Sequence, residues 1–436
     1  MEITTYQDAL AFIHGRQKFK KIPSLKRMQQ LLKSLGNPQE KLKFIHITGT
    51  NGKGSTTAYT RDLLLNAGFS VGTFISPFIT KFNERIMLND VMISDAELLA
   101  EVLELAPHVA KLDQQDLGPT EFEIVTALMF NYFAKKRPDY VVLEVGIGGL
   151  YDSTNVITPA VSVITTVALD HGELLGTTLA QVAKHKAGII KKQVPVVLGQ
   201  LPTEALEVIE TTAQAKQAKV YALGTDFEVK SKKTSVFLGE QFSYQGLERN
   251  FIDLKTSLLG TYQPKNAALA ITAVLLLAKQ EGWQLTSQIV KNAIAKTKWP
   301  GRMEVVNDEP LIILDGAHNL AAIEELDKTL KQHFKNYHVQ IIFGALADKQ
   351  PQQMLAKLAQ VKHCEVYLTP FASHRPTFAA QELAQKFKMQ AFENWPQALQ
   401  QALDNLQGQD LILFTGSLYF ISEVRQYFKE GELSWM

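Results

Sequence analysis

Apolar positions along this chain fall into two rhythms. Short runs of Val, Ile, Leu and Phe alternate with longer stretches in which apolar residues recur every three or four positions. The first rhythm is that of buried parallel strands, and the second that of helices laid across them. The opening segment predicts helices over 6–13 and 25–35, the second stopped by Gly36-Asn37-Pro38. A strand over 43–48, a glycine-rich turn, a helix over 55–67 closed by Gly68 and a strand over 69–75 follow. This βαβ opening predicts a parallel sheet with covering helices. Helices over 95–105, 120–133, 178–187 and 204–216, with strands over 140–145, 161–167 and 194–198, extend it.

The stretch 227–259 breaks the pattern. Its short alternating runs, split by glycine and polar turns, predict antiparallel hairpins appended to the main sheet. Helices over 266–279 and 286–295 come next. Trp299-Pro300-Gly301 is the best candidate boundary, because βα alternation restarts after it. Strands over 311–314, 339–343, 364–368 and 411–414 then alternate with helices over 320–334, 351–359, 378–387 and 422–428. The expectation is an α/β protein. Residues 1–298 form a mostly parallel sheet domain built on a phosphate loop, with the hairpins appended. Residues 299–436 form a smaller, Rossmann-like α/β domain. A chain of 436 residues has length for two or three domains.

Composition narrows the function classes. Apolar residues make up 46% and charged residues 20%, as in ordinary globular proteins. A formal charge of +1 offers no cationic excess for a nucleic-acid partner. The one cysteine, Cys364, rules out an intrachain disulfide and a cysteine metal cluster, and it reads as a small core residue. The acidic, mixed N-terminus has no signal pattern, and no run of 18 apolar residues predicts a membrane span. The expectation is a cytoplasmic chain without membrane or nucleic-acid partners.

The candidate chemistry begins at Ile47-Thr48-Gly49-Thr50-Asn51-Gly52-Lys53-Gly54-Ser55-Thr56. A strand enters and a helix leaves, the setting in which backbone N–H groups and a helix N-terminus cradle phosphate. Lys53 can reach the β- and γ-phosphates of ATP, and Ser55 or Thr56 can offer Mg²⁺ a hydroxyl. The common pattern has four residues between its glycines and Ser or Thr directly after Gly-Lys. This loop has only Thr50-Asn51 between Gly49 and Gly52, and Gly54 follows Lys53. A glycine turn with a solvated lysine is the simpler alternative.

Charged residues at other strand ends extend the picture. Glu144 lies inside an apolar strand, just before Gly146-Ile147-Gly148-Gly149. A carboxylate there needs a pairing cation, either a structural partner or Mg²⁺. Asp170-His171 ends the next strand on the same sheet edge. Lys184, His185 and Lys186 follow on a helix. Such a cluster is ordinarily a solvated face, but beside a triphosphate one member can neutralise charge. Asp315 and His318 lie at a βα turn, where Asp315 is by type equally an N-cap.

The motifs ITGTNGKGST (47–56), SPFITKFNERI (76–86), LEVGIGGLYDSTNVI (143–157), ALDHGELLG (168–176), AKHKAGIIK (183–191), LDGAHN (314–319), FGALADK (343–349) and FTGSLY (414–419) occur in this order. Together they resemble the folylpolyglutamate synthase family, the folate branch of the Mur-type ligases, over essentially the whole chain. The resemblance implies a monomeric ligase that joins L-glutamate to the γ-carboxylate of a reduced folate, using ATP and an acyl phosphate. It implies that Gly49 to Ser55 hold the triphosphate, with Lys53 on the phosphates. Ser55 and Glu144 are implied as ligands of one Mg²⁺, and Glu144, His171 and Lys186 of a second, with Lys186 carbamylated. Ser76-Pro77-Phe78 and Asn83-Glu84-Arg85 are implied in a mobile loop beside the folate pocket, with Ser76, Pro77, Phe78 and Arg85 on the substrate. Asn266, Arg302 and Asp315 are implied on the nucleotide, and His318 and Ser417 on the amino-acid side. One departure is Leu320, where the family often has Pro after DGAHN. Proline there preorganises a helix start and carries no chemistry. Rival readings are a dihydrofolate synthase acting on dihydropteroate, a Mur ligase of nucleotide-linked peptides, and a phosphate-loop switch protein.

Overall fold

The computed structural model describes residues 2–18, 23–232 and 238–430. Two compact units divide the chain. One comprises Met1–Lys230, Phe242–Leu254 and Lys265–Lys296, and the other Ser231–Gln241, Lys255–Pro264 and Thr297–Met436.

The first unit is built on eight strands: β1 (Phe44–Thr48), β2 (Val71–Phe74), β3 (Ile86–Leu88), β4 (Val91–Met92), β5 (Tyr140–Glu144), β6 (Val161–Ile164), β7 (Val196–Leu198) and β8 (Val220–Ala222). Their order is β4-β3-β2-β5-β1-β6-β7-β8. From β2 to β8 neighbours run parallel, while β3 and β4 pair antiparallel at one edge. β1 and β5 are buried at every position, which is why apolar residues dominate both, with His46, Thr48 and Glu144 as the buried polar exceptions. In register, Ile47 faces Glu144, Thr48 faces Ile164 and Phe74 faces Leu143. The C-terminal ends of β2, β5, β1 and β6 therefore emerge along one edge. The chain leaves β1 toward β2 and β5 on one side and reaches β6 on the other. That reversal is where open α/β sheets leave a crevice.

Helices Tyr6–His14, Lys26–Ser34, Asp95–Asp113 and Glu121–Lys136 share a core with Phe44, Phe74, Val141 and Leu143. Helices Leu179–Ala187 and Thr203–Ala215 share another with Val145, Ile164, Val196 and Leu198. The helix predicted to end at residue 105 instead runs to Asp113, through Pro107. Pro107 lacks the N–H that would bond the carbonyl of Leu103, and Leu103 lies on the exposed side of the helix. Buried Val109 and Leu112 beyond the proline anchor the added turns.

The atypical stretch forms β9 (Phe227–Lys232), β10 (Glu240–Gly246) and β11 (Arg249–Thr256), in the order β11-β10-β9. Leu247 and Glu248, both at positive φ, are the two-residue link of a β10–β11 hairpin. Residues 233–237 of the predicted hairpins lie outside the described residues.

The second unit holds a six-stranded sheet of β12 (Glu304–Asn307), β13 (Leu311–Leu314), β14 (His338–Phe343), β15 (Cys364–Leu368), β16 (Gln390–Ala391) and β17 (Asp410–Thr415). The order is β12-β13-β17-β14-β15-β16, parallel except for β12. The helix Trp395–Asp404, capped by Asn394, has no counterpart among the predicted elements. Its buried face is Trp395, Ala398, Leu399 and Ala402, and the small alanines weaken the apolar signal. The last helix, Leu418–Glu430, extends the predicted 422–428 at both ends.

Candidate active site

The loop after β1 is shaped by the segment after β6. Thr50 N donates to Thr166 O at 2.9 Å, Asn51 N to Thr166 Oγ1 at 2.9 Å, and Thr165 Oγ1 to Asn51 O at 2.6 Å. Gly49 is obligatory, because a Cβ there would lie 1.8 Å from Thr165 Oγ1. Gly52 adopts φ +87°, and a Cβ on it would lie 2.6 Å from Asn266 Oδ1. Asn266, distant in sequence, is thus packed against the loop. The helix starts at Lys53, two residues earlier than predicted, so its N-terminal N–H groups and about half a positive charge face the loop. Lys53 Nζ folds back to Gly49 O at 3.1 Å and Thr50 O at 3.4 Å. Ser55 is buried at the same helix start.

Glu144 ends β5 beside the loop and is only 5% exposed. Ser76 N, after β2, lies 3.5 Å from Glu144 Oε2. The glycine turn that follows Glu144 is held by residues the sequence reading did not single out. Asp152 Oδ2 accepts from Ile147 N at 2.9 Å, and its Oδ1 accepts from Thr154 N at 3.0 Å and Thr154 Oγ1 at 2.6 Å. His46 Nε2 in turn donates to Thr154 Oγ1 at 2.9 Å. Thr48 Oγ1 ties the turn to β1 through Gly148 O at 2.6 Å. Burial pushes the Asp152 carboxyl up and the His46 imidazole down to about 3, the latter helped by the Lys191 charge. An Asp-x-Thr step three residues after the last glycine of the turn was the available signal.

Lys186 reaches this edge because two backbones approach closely. Leu150 N donates to His185 O at 2.7 Å. A Cβ on Gly188 would lie 2.3 Å from Leu150 Cα, and one on Gly149 2.8 Å from His185 O. Of the basic cluster, Lys184 is exposed, His185 half-buried and Lys186 only 2% exposed. The solvated-face reading therefore fails for Lys186. Burial and then the Lys53 charge hold its amine well below the usual lysine range, while Asp170 opposes. Asp170 accepts from His171 N at 2.8 Å, and His171 sits at φ 52° just before a short helix.

On the β2 side, Ser76, Phe78 and Arg85 are half-buried and Pro77 is exposed. The Arg85 guanidinium lies 5.2 Å from the Phe78 ring and 5.5 Å from that of Phe82, and donates to Ser76 Oγ at 3.3 Å.

A second group of predicted residues lies at the strand ends of the six-stranded sheet. Leu314 faces Phe414 in register, which sets Asp315–Asn319 beside Thr415–Ser417. Asp315 accepts from Met303 N at 3.0 Å and Ala317 N at 2.9 Å, and from the Tyr262 side chain. Burial raises its pKa against the lowering effect of Arg302. Asp315 is not the N-cap of the next helix; Asn319 is, accepting from Ala322 N at 2.9 Å. Arg302 Nη1 donates to Gly301 O at 3.1 Å. His318 Nδ1 donates to Gly316 O at 2.8 Å, and buried Ser417 accepts from Tyr419 N at 3.2 Å.

The first group thus joins Gly49–Ser55, Asn266, Glu144, His171, Lys186 and Ser76 at one sheet edge. The N–H groups at the helix start, the Lys53 ammonium and a buried carboxylate suit a polyanion and a hard cation. Among the described residues, no group of three or more His, Cys, Asp or Glu side chains is placed to hold a metal by itself. Among them, no helix is long and apolar enough to cross a membrane.

Residues 47–274 match the Mur ligase middle domain, and residues 301–418 the Mur ligase glutamate ligase domain. A Bacillus subtilis dihydrofolate synthase/folylpolyglutamate synthase is 42% identical over 98% of this chain and all of its own length. A Lacticaseibacillus casei folylpolyglutamate synthase is 40% identical over 98% of this chain and 99% of its own. Among solved structures, a folylpolyglutamate synthase–AMPPCP–folate complex aligns with TM-score 0.87 at 39% identity, covering 97% of this chain and 99% of that one. Mycobacterium tuberculosis folylpolyglutamate synthase, complexed with ADP and AMPPCP, aligns with TM-score 0.89 at 30% identity, covering 97% and 98%. With the fold, the glycine loop and relatives matching nearly end to end, this chain belongs to the folylpolyglutamate synthase family of the Mur ligases.

Proposed function

We propose that this chain uses ATP to join L-glutamate to the terminal γ-carboxylate of a reduced folate. The observation that supports the reading is buried Lys186 within electrostatic reach of Lys53, which folds back on the glycine loop, with Glu144 at the end of the strand paired beside it. The folate carboxylate attacks the γ-phosphorus of ATP, and the bond to the β-phosphate oxygen breaks, giving an acyl phosphate and ADP. The glutamate amine then attacks the acyl carbon. Phosphate leaves, and the amine loses a proton as the amide forms. Two anions must meet in the first step, so charge compensation is the main requirement. Lys53 and the N–H groups at the start of the helix it opens supply it from this chain, while those of Thr50 and Asn51 bond Thr166 and shape the loop. No side chain acts as a covalent nucleophile.

Ser55 and Glu144 present the oxygen donors that Mg²⁺ accepts beside phosphate oxygens, and bound Mg²⁺ supplies further charge compensation there. A second Mg²⁺ at Glu144, His171 and Lys186 fits only if Lys186 is carbamylated, since an ammonium repels a cation. Burial favours the neutral amine, whose nitrogen can bond the carbon of CO₂ and lose a proton to give a carboxylate. We assign Asn266, Arg302 and Asp315 to the nucleotide, His318 and Ser417 to glutamate, and Ser76, Pro77, Phe78 and Arg85 to the folate side. The two hydrogen bonds from Met303 and Ala317 make Asp315 equally an organiser of the turn that carries His318. The division at residue 298 separates the ATP-binding part from the glutamate part in this reading. A cytoplasmic monomer follows the family precedent.

Relatives named for both activities favour a second reaction, in which dihydropteroate is the acceptor. One experiment covers both. Purified protein is given ATP, Mg²⁺ and glutamate with either tetrahydrofolate or dihydropteroate, and products are weighed by mass spectrometry. Glutamate addition to tetrahydrofolate is expected. Its absence, with ATP intact, sinks the proposal, and addition to dihydropteroate establishes the second activity.

A further inference from the structure

The segment between β2 and β3 turns back on itself within a few residues, and its shape is set from inside. Three successive backbone N–H groups converge on one carboxylate. Ile79 N donates to Glu84 Oε2 at 2.7 Å, and Thr80 N and Lys81 N each donate to Glu84 Oε1 at 3.0 Å. Successive N–H groups curled around an anion form a nest, and here the anion is the chain's own side chain. The back of the turn is fixed separately. Buried Asn83 donates to Ile93 O at 2.6 Å and Asp95 Oδ1 at 2.9 Å, and accepts from Tyr6 Oη at 2.6 Å. Asn83 sets where the turn sits, and Glu84 sets how it curls. The outcome is the stack of Arg85 on Phe78 and Phe82, whose rings lie 5.8 Å apart.

We infer that Glu84 is a positioning residue, whose carboxylate holds residues 76–85 in the shape that presents Arg85 and Phe78 to the folate. The inference rests on the reading of this loop as the folate side of the site. Without the carboxylate, three N–H donors face no anion, the curl relaxes and the stack on Arg85 loosens. The hydrogen bonds that Glu84 accepts here come from its own loop, so the nucleotide side is spared.

The test compares Glu84→Ala and Glu84→Gln with the wild-type chain, reading KM for folate, KM for ATP and the rate of tryptic cleavage after Lys81. Glu84→Ala is expected to raise KM for folate about tenfold, leave KM for ATP within about twofold and speed cleavage. Excess formate, but not chloride, reverses both changes, because a small carboxylate refills the nest. Glu84→Gln is intermediate, since its amide oxygen accepts hydrogen bonds without charge, and it carries the comparison if the alanine variant does not fold. Unchanged cleavage and KM in both variants overturns the inference, as does a defect that formate leaves untouched. Faster, formate-reversible cleavage with an unchanged folate KM instead overturns the reading of the loop as folate-facing, while the nest stands.

Discussion

The two sheet edges handle charge in opposite ways. At the eight-stranded sheet, Lys186 is buried within electrostatic reach of a second lysine, Lys53, which depresses its pKa further. In the second unit, buried charge is consumed internally. Asp315 is satisfied by Met303 N, Ala317 N and Tyr262, and Glu240 is paired with His333 at 2.8 Å while accepting from Gly260 N at 3.1 Å. A fold gains nothing from burying an amine beside a second lysine, so the first edge carries a cost that loss of the Lys186 proton, a bound anion or a modification relieves. Groups already satisfied serve the architecture, Asp315 doing so alongside its proposed nucleotide role. Removing charge should therefore impair turnover at the first edge and stability in the second unit.

The largest expected effects fall on the two lysines. Lys186→Met and Lys53→Ala should each lower kcat by about 10³-fold. Lys186→Met should also keep or raise the melting temperature, because an apolar side chain of similar length replaces a buried amine. Steady-state kinetics and a thermal melt on the same preparation check both halves. Turnover near the wild-type rate in Lys53→Ala would remove the phosphate-loop assignment. If CO₂ depletion and bicarbonate addition leave activity unchanged, and a crystal structure holds a bare ammonium at Lys186, the carbamate reading fails.

The glycine loop between strand and helix was legible because its physics is local. Glycine spacing, an entering strand and a leaving helix all sit within ten residues, and the parallel sheet followed from apolar runs of the same range. Lys186 was not legible from its neighbours, since Lys184, His185 and Lys186 differ only in where the helix faces. The close approach of Gly149 and Gly188 decides that, and it joins segments far apart in sequence. The family resemblance supplied what periodicity could not. His46 escaped notice for the same reason, since its bond to Thr154 joins β1 to the turn after β5, whereas Asp152 and Thr154 left a local Asp-x-Thr signal. The helix predicted to stop at residue 105 runs on through Pro107 because buried Val109 and Leu112 hold the added turns.

The second unit yields the next effect. Glu240→Ala leaves Gly260 N–H and the His333 ring without their acceptor in a buried setting. A loss of about 3 kcal/mol in unfolding free energy is expected. Folded protein should retain ligation within about twofold. Urea denaturation followed by activity in dilute denaturant checks the pair. A large fall in kcat without loss of stability would break the contrast between the two regions.

His46 sharpens the contrast from within the first unit, since it is buried like Lys186 but already hydrogen-bonded. Its pKa in the fold is about 3, against 6.5 when unhindered. The unfolded chain therefore binds a proton first as pH falls, so the contribution of neutral His46 is complete above about pH 6.5 and declines below it. Between pH 6.5 and 5 the decline should be about 2 kcal/mol. Gln at this position can offer the same donor to Thr154 Oγ1 without titrating. His46→Gln should flatten the pH dependence of stability in that window while leaving kcat at neutral pH within about threefold. Equal slopes for the two proteins would mean that protonation reaches His46 without unfolding. The network behind the glycine turn would then be open to solvent, and Glu144 would rest on a softer support than these hydrogen bonds describe.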